Sequence, residues 1–462
     1  MRKYIWLMAC LVAFAPLSTN AAKKLKKAKK AQTELWPDGT KMDAWFSNAQ
    51  KVNVDTLGKK YVITDYGVKN DSTLIQTQAI QAIIDQAAKD GGGVIVVPAG
   101  TYQSGALFFR PKTHLYLEEG GKLKGSDRIA NFPVLETRIE GETCKYFSAF
   151  INADKCDGFT IAGNGTIDGN GYHWEEFWIR RTWNRQCTNK DAQRPRLVYI
   201  SNSSHVTIQD VHIQNSPFWT NHIYRCDHVR FLGCTIFAPT SGMRAPSSDA
   251  IDIDVCHDVL VEGCFMSVND DAIAIKGGKG TWADKAPENG PVYNVLIQNC
   301  NYGRVHGCLT LGSESVKDRN IVLRNIKVGN AQRVLWLKMR PDTPQHYEYV
   351  TVDNITGTTG SFLVVRPWTQ FFKPGDRKDM PLSQCNNITI KNIQMDCDNF
   401  FDVGTSDKYR LVDFTFENIQ STDKKMAFNK DVIENTIVKN VNITPREKSN
   451  GLKTTGDADG LK

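Results

Sequence analysis

The chain has 462 residues, with 57 Lys and Arg against 50 Asp and Glu for a formal +7, 41% apolar residues, 35 Gly and 12 Cys. Fractions this ordinary exclude a disordered chain, a collagen and an integral membrane protein, and the length suffices for one large core. The positive sum would suit an acidic partner, but it is carried entirely by the first thirty residues.

Arg2 and Lys3, an apolar run from Tyr4 to Leu17 and small residues through Ala22 have the charge, apolar core and cleavage site of a secretory signal over residues 1–22. The run is shorter than the ~20 apolar residues that a membrane-spanning helix needs. Leu7 to Cys10 has the outline of a bacterial lipoprotein box, but six residues between Lys3 and Cys10 fall short of an apolar core of ~7–15, so lipid anchoring is not expected. An exported, periplasmic or secreted protein is expected.

Residues 23–30 (KKLKKAKK) add six lysines. Together with Arg2 and Lys3 they account for eight positive charges, and the remainder of the chain sums to −1. With no aromatic or turn residue among them, the lysines read as a solvated spacer rather than a nucleic-acid site, and residues 23–50 as an extension ahead of a body spanning 51–445. Ser72 to Asp90 has helical spacing, with Ile75, Ala79, Ile80, Ile83 and Ala87 on one face and three glycines after it. This helix is expected to cap the open end of a strand stack, whose first coil begins at Val94.

From about residue 155 a short pattern recurs: apolar residues at i and i+2, a polar or small residue at i+4, then a small apolar one. It starts at Val206, Val229, Val259, Val295, Ile321, Val350, Ile388, Phe414 and Thr436, at intervals of 22 to 38 residues. Period-2 alternation in segments too short for helices, repeated with irregular insertions, predicts an all-β chain: a single right-handed parallel β-helix with an N-terminal capping helix. Asn recurs at one register (299, 325, 354, 392, 418, 440), where stacked amides can hydrogen-bond from coil to coil. Cys234, Cys264 and Cys300 share the next register with Val and Ile, which points to core stacking rather than disulfides. No Cys or His spacing suits zinc. The polar residues 446–462 read as a disordered tail.

Ser248 to Asp254 can be laid over Asp270 to Lys276, 22 residues or one coil later. Asp249 and Asp271 then stand on adjacent rungs about 4.8 Å apart, with Asp270 beside them. Like charges this close raise the pKa of at least one, so an acid and a base coexist near neutral pH, as glycoside hydrolysis requires. The next coil puts His306 at the Asp270 register, together with Arg304 and Glu314, and the following one brings Arg333, Trp336 and Lys338. Asp252 and Asp254 have no acidic counterparts at Ala274 and Lys276 and read as structural.

These residues are where the chain resembles the polygalacturonase family, glycoside hydrolase family 28. Its Asn-Thr-Asp, Asp-Asp, Gly-His-Gly and Arg-Ile-Lys motifs correspond in order to Ser247 to Asp249, Asp270 with Asp271, Val305 to Gly307 and Trp336 to Lys338. The resemblance extends to Ile63 to Gly67, Pro98 to Tyr102 and Asn215 to Trp219. It implies that Asp270 is the general acid, that Asp249 and Asp271 activate the attacking water with inversion, that His306 tunes the acid and that Lys338 grips a uronate carboxylate. Two departures alter the subsite: the motif asparagine is Ser247 and the motif arginine is Trp336. His306 to Glu314 is similar to the exo-acting branch, whose motif ends in Gly-Ser-Glu. The resemblance thus implies an exo-acting galacturonidase on homogalacturonan or rhamnogalacturonan, without metal or organic cofactor, and we expect a monomer with a pectic partner and no nucleic acid.

Between Gly171 and Leu197 an insertion carries Trp174, Trp178 and Trp183 among Arg180, Arg181, Arg185, Arg194 and Arg196. Aromatic faces stack on sugars and Arg forks bind carboxylates, so this segment is a candidate wall of the cleft, with sealing of the insertion onto the solenoid as the alternative. Arg366 and Trp368 raise the same question. Two other functions share the fold: a calcium-dependent pectate lyase, which needs clustered Ca²⁺ ligands and a basic catalyst, and a non-catalytic glycan-binding β-helix.

Overall fold

The computed structural model describes residues 34–171, 187–238, 245–372 and 375–446. The leader, the lysine run, Trp174 to Arg185 and the tail from 447 lie outside them. A 27-stranded sheet, parallel in every pairing, winds into a right-handed β-helix with three strands per coil. The third strand of successive coils gives the row Ile151–Asp154, Val198–Ser201, Asn221–Tyr224, Ile251–Asp254 and Ile273–Lys276. That row continues through Leu309, Leu335, Leu363 and Phe401. Its inward residues are the Ile and Leu of the alternation and are buried; the outward His222, Asp252 and Asp254 are buried as well, beneath an excursion of the chain.

The recurring asparagines mark a corner of the backbone. Asp210, Gly233, Gly263, Asn299, Asn325, Asn354, Asn392, Asn418 and Asn440 all have φ between +50 and +66°. A left-handed residue is needed to turn one strand into the next, and Gly, Asn and Asp tolerate that conformation best. The amide ladder is present as well: Asn325 donates to Asn299 at 3.1 Å, Asn354 to Asn325 at 2.8 Å, Asn418 to Asn392 at 3.1 Å and Asn440 to Asn418 at 2.9 Å. It breaks once, where Asn392 donates to Asp353. The cysteines Cys234, Cys264 and Cys300 stack in the core as thiols.

Two expectations shift at the N-terminal end. The solenoid begins at Lys60–Val62, not at Val94, since this strand pairs with Gly93–Val97 and Asp71–Ile75 pairs with Gly100–Ser104. The helix runs from Thr77 to Lys89, because Ile75 belongs to that strand; it buries Ile80, Ile83, Ile84 and Ala87, while Ala79 faces solvent.

Residues 34–50, placed ahead of the body by sequence, form together with Lys51 and Val52 a strap along its side. Trp36, Met42 and Phe46 cover an apolar stripe of Leu232, Leu260, Leu296 and Val322 on four successive coils. Asp38 pairs with Arg319 at 2.9 Å, and Val52 exchanges backbone bonds with the Gln209 amide at 2.8 and 2.9 Å. Beyond the strap the same outward row becomes Thr351, Thr389 and Thr415.

A separate antiparallel hairpin, Val134–Ile139 with Glu142–Phe147, leaves the solenoid between the second and third strands of one coil, after Gly121–Gly125 and before Ile151–Asp154. Glu140 and Gly141 make its two-residue turn with φ of +50 and +74°. It lies over the outward residues of the third-strand row, where Arg138 Nε is 3.1 Å from Asp254 Oδ2.

Candidate active site

The register places Asp249, Asp271, Gly307 and Arg333 in one column on successive rungs, at the entrance to the third-strand row. Asp270 and His306 share the neighbouring column, where the His306 N–H donates to the Asp270 carbonyl. One carboxylate oxygen from each of Asp249, Asp270 and Asp271 lies within 4.8 Å of the other two. Asp249 and Asp271 are buried, whereas Asp270 is partly open to solvent.

Each carboxylate has its own partners. Asp270 accepts from the Ser247 and Asp271 backbone N–H groups at 3.1 Å each and lies 3.4 Å from His306 Nδ1. Asp271 accepts from Lys338 Nζ at 3.0 Å. Burial, reinforced by Asp270, pushes Asp249 well above the ordinary carboxylate range, and Lys276 offsets only part of this. Burial works against a charged His306, but the facing Asp270 outweighs it and raises the imidazole above its ordinary value. The trio thus combines a buried carboxyl whose pKa is pushed up, a buried carboxyl paired with a lysine and a solvent-facing carboxyl beside an imidazole that it raises.

Around the trio, Asp252 Oδ1 and Oδ2, Asp271 Oδ1, Thr310 Oγ1 and Asn269 Oδ1 are buried without a hydrogen-bond partner among the described residues. Such groups cost stability, and their concentration on three adjacent rungs marks a surface arranged for something other than folding.

Lys338 and Trp336 join one assembly. The Arg333 guanidinium lies 3.8 Å from the centre of the Trp336 ring, Lys338 Nζ lies 4.1 Å from it, and Trp368 meets Trp336 edge-on at 5.2 Å. Glu314 is placed differently from expectation. It pairs with Lys276 at 3.0 Å and accepts from Ser313 Oγ at 2.5 Å, and although burial opposes it, Lys276 and Lys279 hold it well below the usual range. A carboxylate so neutralised positions Lys276 rather than offering itself to a ligand. Arg304 is tied through its backbone N–H to Ser267 Oγ, and no link from it to the trio occurs among the described residues. Arg366 pairs with Asp402 near the surface.

Arg194 and Arg196 are not free forks. Arg194 donates to the Pro217, Ala192 and Pro246 carbonyls, and Arg196 donates to the Arg138 carbonyl and Thr137 Oγ1. Both are fully buried, so neither is available to a substrate carboxylate.

The model of "Glycosyl hydrolases family 28" matches residues 95–356. The chain belongs to this family. Its similarity to "Probable polygalacturonase" of Vitis vinifera is 28% identity over 47% of this chain and 44% of that protein. To "Exo-poly-alpha-D-galacturonosidase" of Dickeya chrysanthemi it is 25% over 63% and 54%. The chain therefore spans about half the length of these curated relatives. Among solved structures, the exopolygalacturonase of Thermotoga maritima superposes with a TM-score of 0.67 at 20% identity, covering 82% of this chain and 92% of that one, which bears on the fold.

Against the family 28 motifs, the two departures have local companions. Beside Ser247, where the motif has asparagine, stands the carboxamide of Asn189: Ser247 Oγ donates to its Oδ1 at 3.2 Å. Trp336, at the motif arginine, carries the guanidinium of Arg333 on its face. Sequence alone did not single out Asn189, Arg138, Trp219 or Lys276 as parts of this site. Asn189 and Arg138 come from excursions whose lengths follow no repeat, and no motif spacing marks them.

Proposed function

We propose that the protein hydrolyses α-linked galacturonic acid in pectic chains, acting from a chain end on homogalacturonan or rhamnogalacturonan, by single displacement with inversion. The observation that carries this reading is the division of labour among three carboxylates within 4.8 Å of one another. Asp270, the member open to solvent, delivers to the glycosidic oxygen, as the bond to the anomeric carbon breaks, a proton that it receives from the His306 imidazolium 3.4 Å away. Asp271, held by Lys338 Nζ at 3.0 Å, takes a proton from the water that attacks that carbon from the opposite face, and Asp249 on the adjacent rung orients the water. The cationic patch of Arg333 and Lys338 suits the uronate carboxylates. Export by the leader supports an extracellular or periplasmic polymer as substrate, and no helix among the described residues is long and apolar enough to cross a membrane.

Carboxyl separation favours a second reading, retention through a covalent intermediate, since retaining glycosidases hold the pair about 5–5.5 Å apart and inverting ones about 6.5–9.5 Å. In a parallel solenoid, however, rung spacing near 4.8 Å brings side chains of one column together whatever the mechanism. The stereochemistry of the first-formed sugar decides. NMR is expected to show the anomer opposite to that of the substrate, and a retained anomer would remove the water-attack assignment. Asp270→Asn is expected to fold and to lose roughly 10²–10⁴ in rate. An ultraviolet-absorbing unsaturated product, or loss of activity with EDTA, would favour the lyase reading instead.

A further inference from the structure

Ser247 holds a backbone conformation that serine does not favour. It is buried two residues ahead of Asp249, with φ of +54°. The left-handed conformation is costly for a residue with a Cβ, and Gly and Asn bear it best. The family 28 motif has asparagine at this position, whereas serine has no such preference. In this conformation the Ser247 N–H points at Asp270 Oδ2 on the next rung, at 3.1 Å. The other oxygen, Oδ1, accepts from the Asp271 N–H at 3.1 Å and faces His306 Nδ1 at 3.4 Å. Each oxygen of the acid thus has its own backbone donor, and the two together set the plane of the carboxyl.

The side chain of Ser247 is held by Asn189. Ser247 Oγ donates to Asn189 Oδ1 at 3.2 Å, and Arg194 Nη2 donates to the same oxygen at 3.3 Å. At the other end of the carboxamide, Nδ2 donates to Glu140 Oε1 at 2.6 Å, and Glu140 Oε2 lies 3.9 Å from Lys279 Nζ. The Tyr146 hydroxyl donates to the Asn189 carbonyl at 3.4 Å. Asn189 is buried, and a buried carboxamide bonded at both ends has one orientation. The two residues are 58 apart in sequence, so a segment outside the repeat fixes a turn within it. Without the bond to Asn189, Ser247 would relax toward an ordinary φ and take its N–H away from Asp270.

We propose that Asn189 is a positioning residue for the general acid: through Ser247 Oγ it keeps the Ser247 backbone left-handed, so that the Ser247 N–H stays on Asp270 while that carboxyl takes a proton from His306 and passes it to the glycosidic oxygen. The inference rests on the hydrolase reading and adds to it a residue that acts through another. A backbone N–H on Oδ2 favours the carboxylate over the carboxylic acid, which eases departure of the proton toward the leaving group.

The test is made on pectic oligosaccharides. Asn189→Ala and Ser247→Ala are each expected to lower kcat between about 10- and 100-fold, part of the ~10²–10⁴ that a general acid supplies, with KM within about threefold. Asp270 is faced by Asp249, Asp271, His306 and Arg333, so the alkaline limb of the kcat profile belongs to the group as a whole. Loss of the N–H raises the proton affinity of Asp270, and the limb should move upward by at least about half a pH unit in both variants. The double variant should be no slower than the slower single one, because both changes break the same bond, whereas independent roles would multiply. Where Asn189→Ala does not fold, Ser247→Ala, which removes a single hydroxyl, carries the test through its kcat and its alkaline limb. A folded variant with kcat within about twofold of the unaltered protein, an unmoved alkaline limb or multiplied losses in the double variant overturns the proposal. Failure of the unaltered protein to hydrolyse any pectic chain removes the hydrolase reading itself, and the positioning role with it.

Discussion

A Cβ added at Gly307 would lie 2.7 Å from Asp271 Oδ1 and 2.2 Å from Thr310 Oγ1. The residue after His306 is glycine because any side chain there would displace a carboxylate of the trio. His306 itself has a pKa raised by Asp270 against the opposing effect of burial. A group whose folded pKa is raised contributes stability that is fully present below its unfolded value near 6.5 and is lost as pH rises through the folded value. The melting temperature should therefore fall across that alkaline window in the natural protein and stay flatter in His306→Gln; equal slopes would show that the imidazolium–Asp270 contact is not formed. At this scale Asp249, Asp270, Asp271, His306 and Lys338 were legible because they sit at fixed offsets within one repeat. Asn189, Arg138 and the true partners of Glu314 were not, since side chains from an excursion meet the site at positions no period encodes.

Elements show how much of a repeat is chemistry of the backbone. The register of recurring asparagines was visible, and so was its amide ladder, but the stronger reason for it is the corner at φ near +55°. β-Branched residues pay most there, about 1–2 kcal/mol for the left-handed conformation. Asn325→Val is expected to cost that much in denaturant unfolding and to lose the bonds to Asn299 and Asn354, whereas Asn325→Gly should cost less. Equal costs would mean that the ladder, and not the corner, selects asparagine. The capping helix was legible from its 3.6-residue spacing. Its start was displaced from residue 72 to Thr77 because Asp71–Ile75 pairs as a strand, and pairing outweighs a short stretch of helical pattern.

Across the whole molecule, the strap ties coils that are distant in sequence to the first residues ahead of the solenoid. Its polar anchor is Asp38: burial raises the cost of its charge, but hydrogen bonds from Thr40, Asn320 and Arg319 prevail and hold it at about 2. A depressed carboxyl contributes stability that is present above its unfolded value near 4 and is lost as pH falls through the folded one. Between pH 4 and 2 the strap should release first, read as exposure of Trp36 and Trp45 fluorescence ahead of loss of the β-sheet signal. Asp38→Asn should remove that early step; its persistence would place the acid-sensitive contact elsewhere.

The sequence by itself determined the solenoid, its asparagine register and the convergence of three carboxylates, because a parallel β-helix maps each repeat onto one rung of constant spacing, so sequence offset becomes distance. Only the tertiary structure decided which parts of that regular surface are covered. The strap on one side and the hairpin over the third-strand row are excursions whose partners lie several coils away. Their docking depends on burial and pairing across rungs, as in Ile139 on Trp219 or Arg138 on Asp254, and the apolar stripe or buried carboxylate beneath gives no sign in sequence of which segment will reach it.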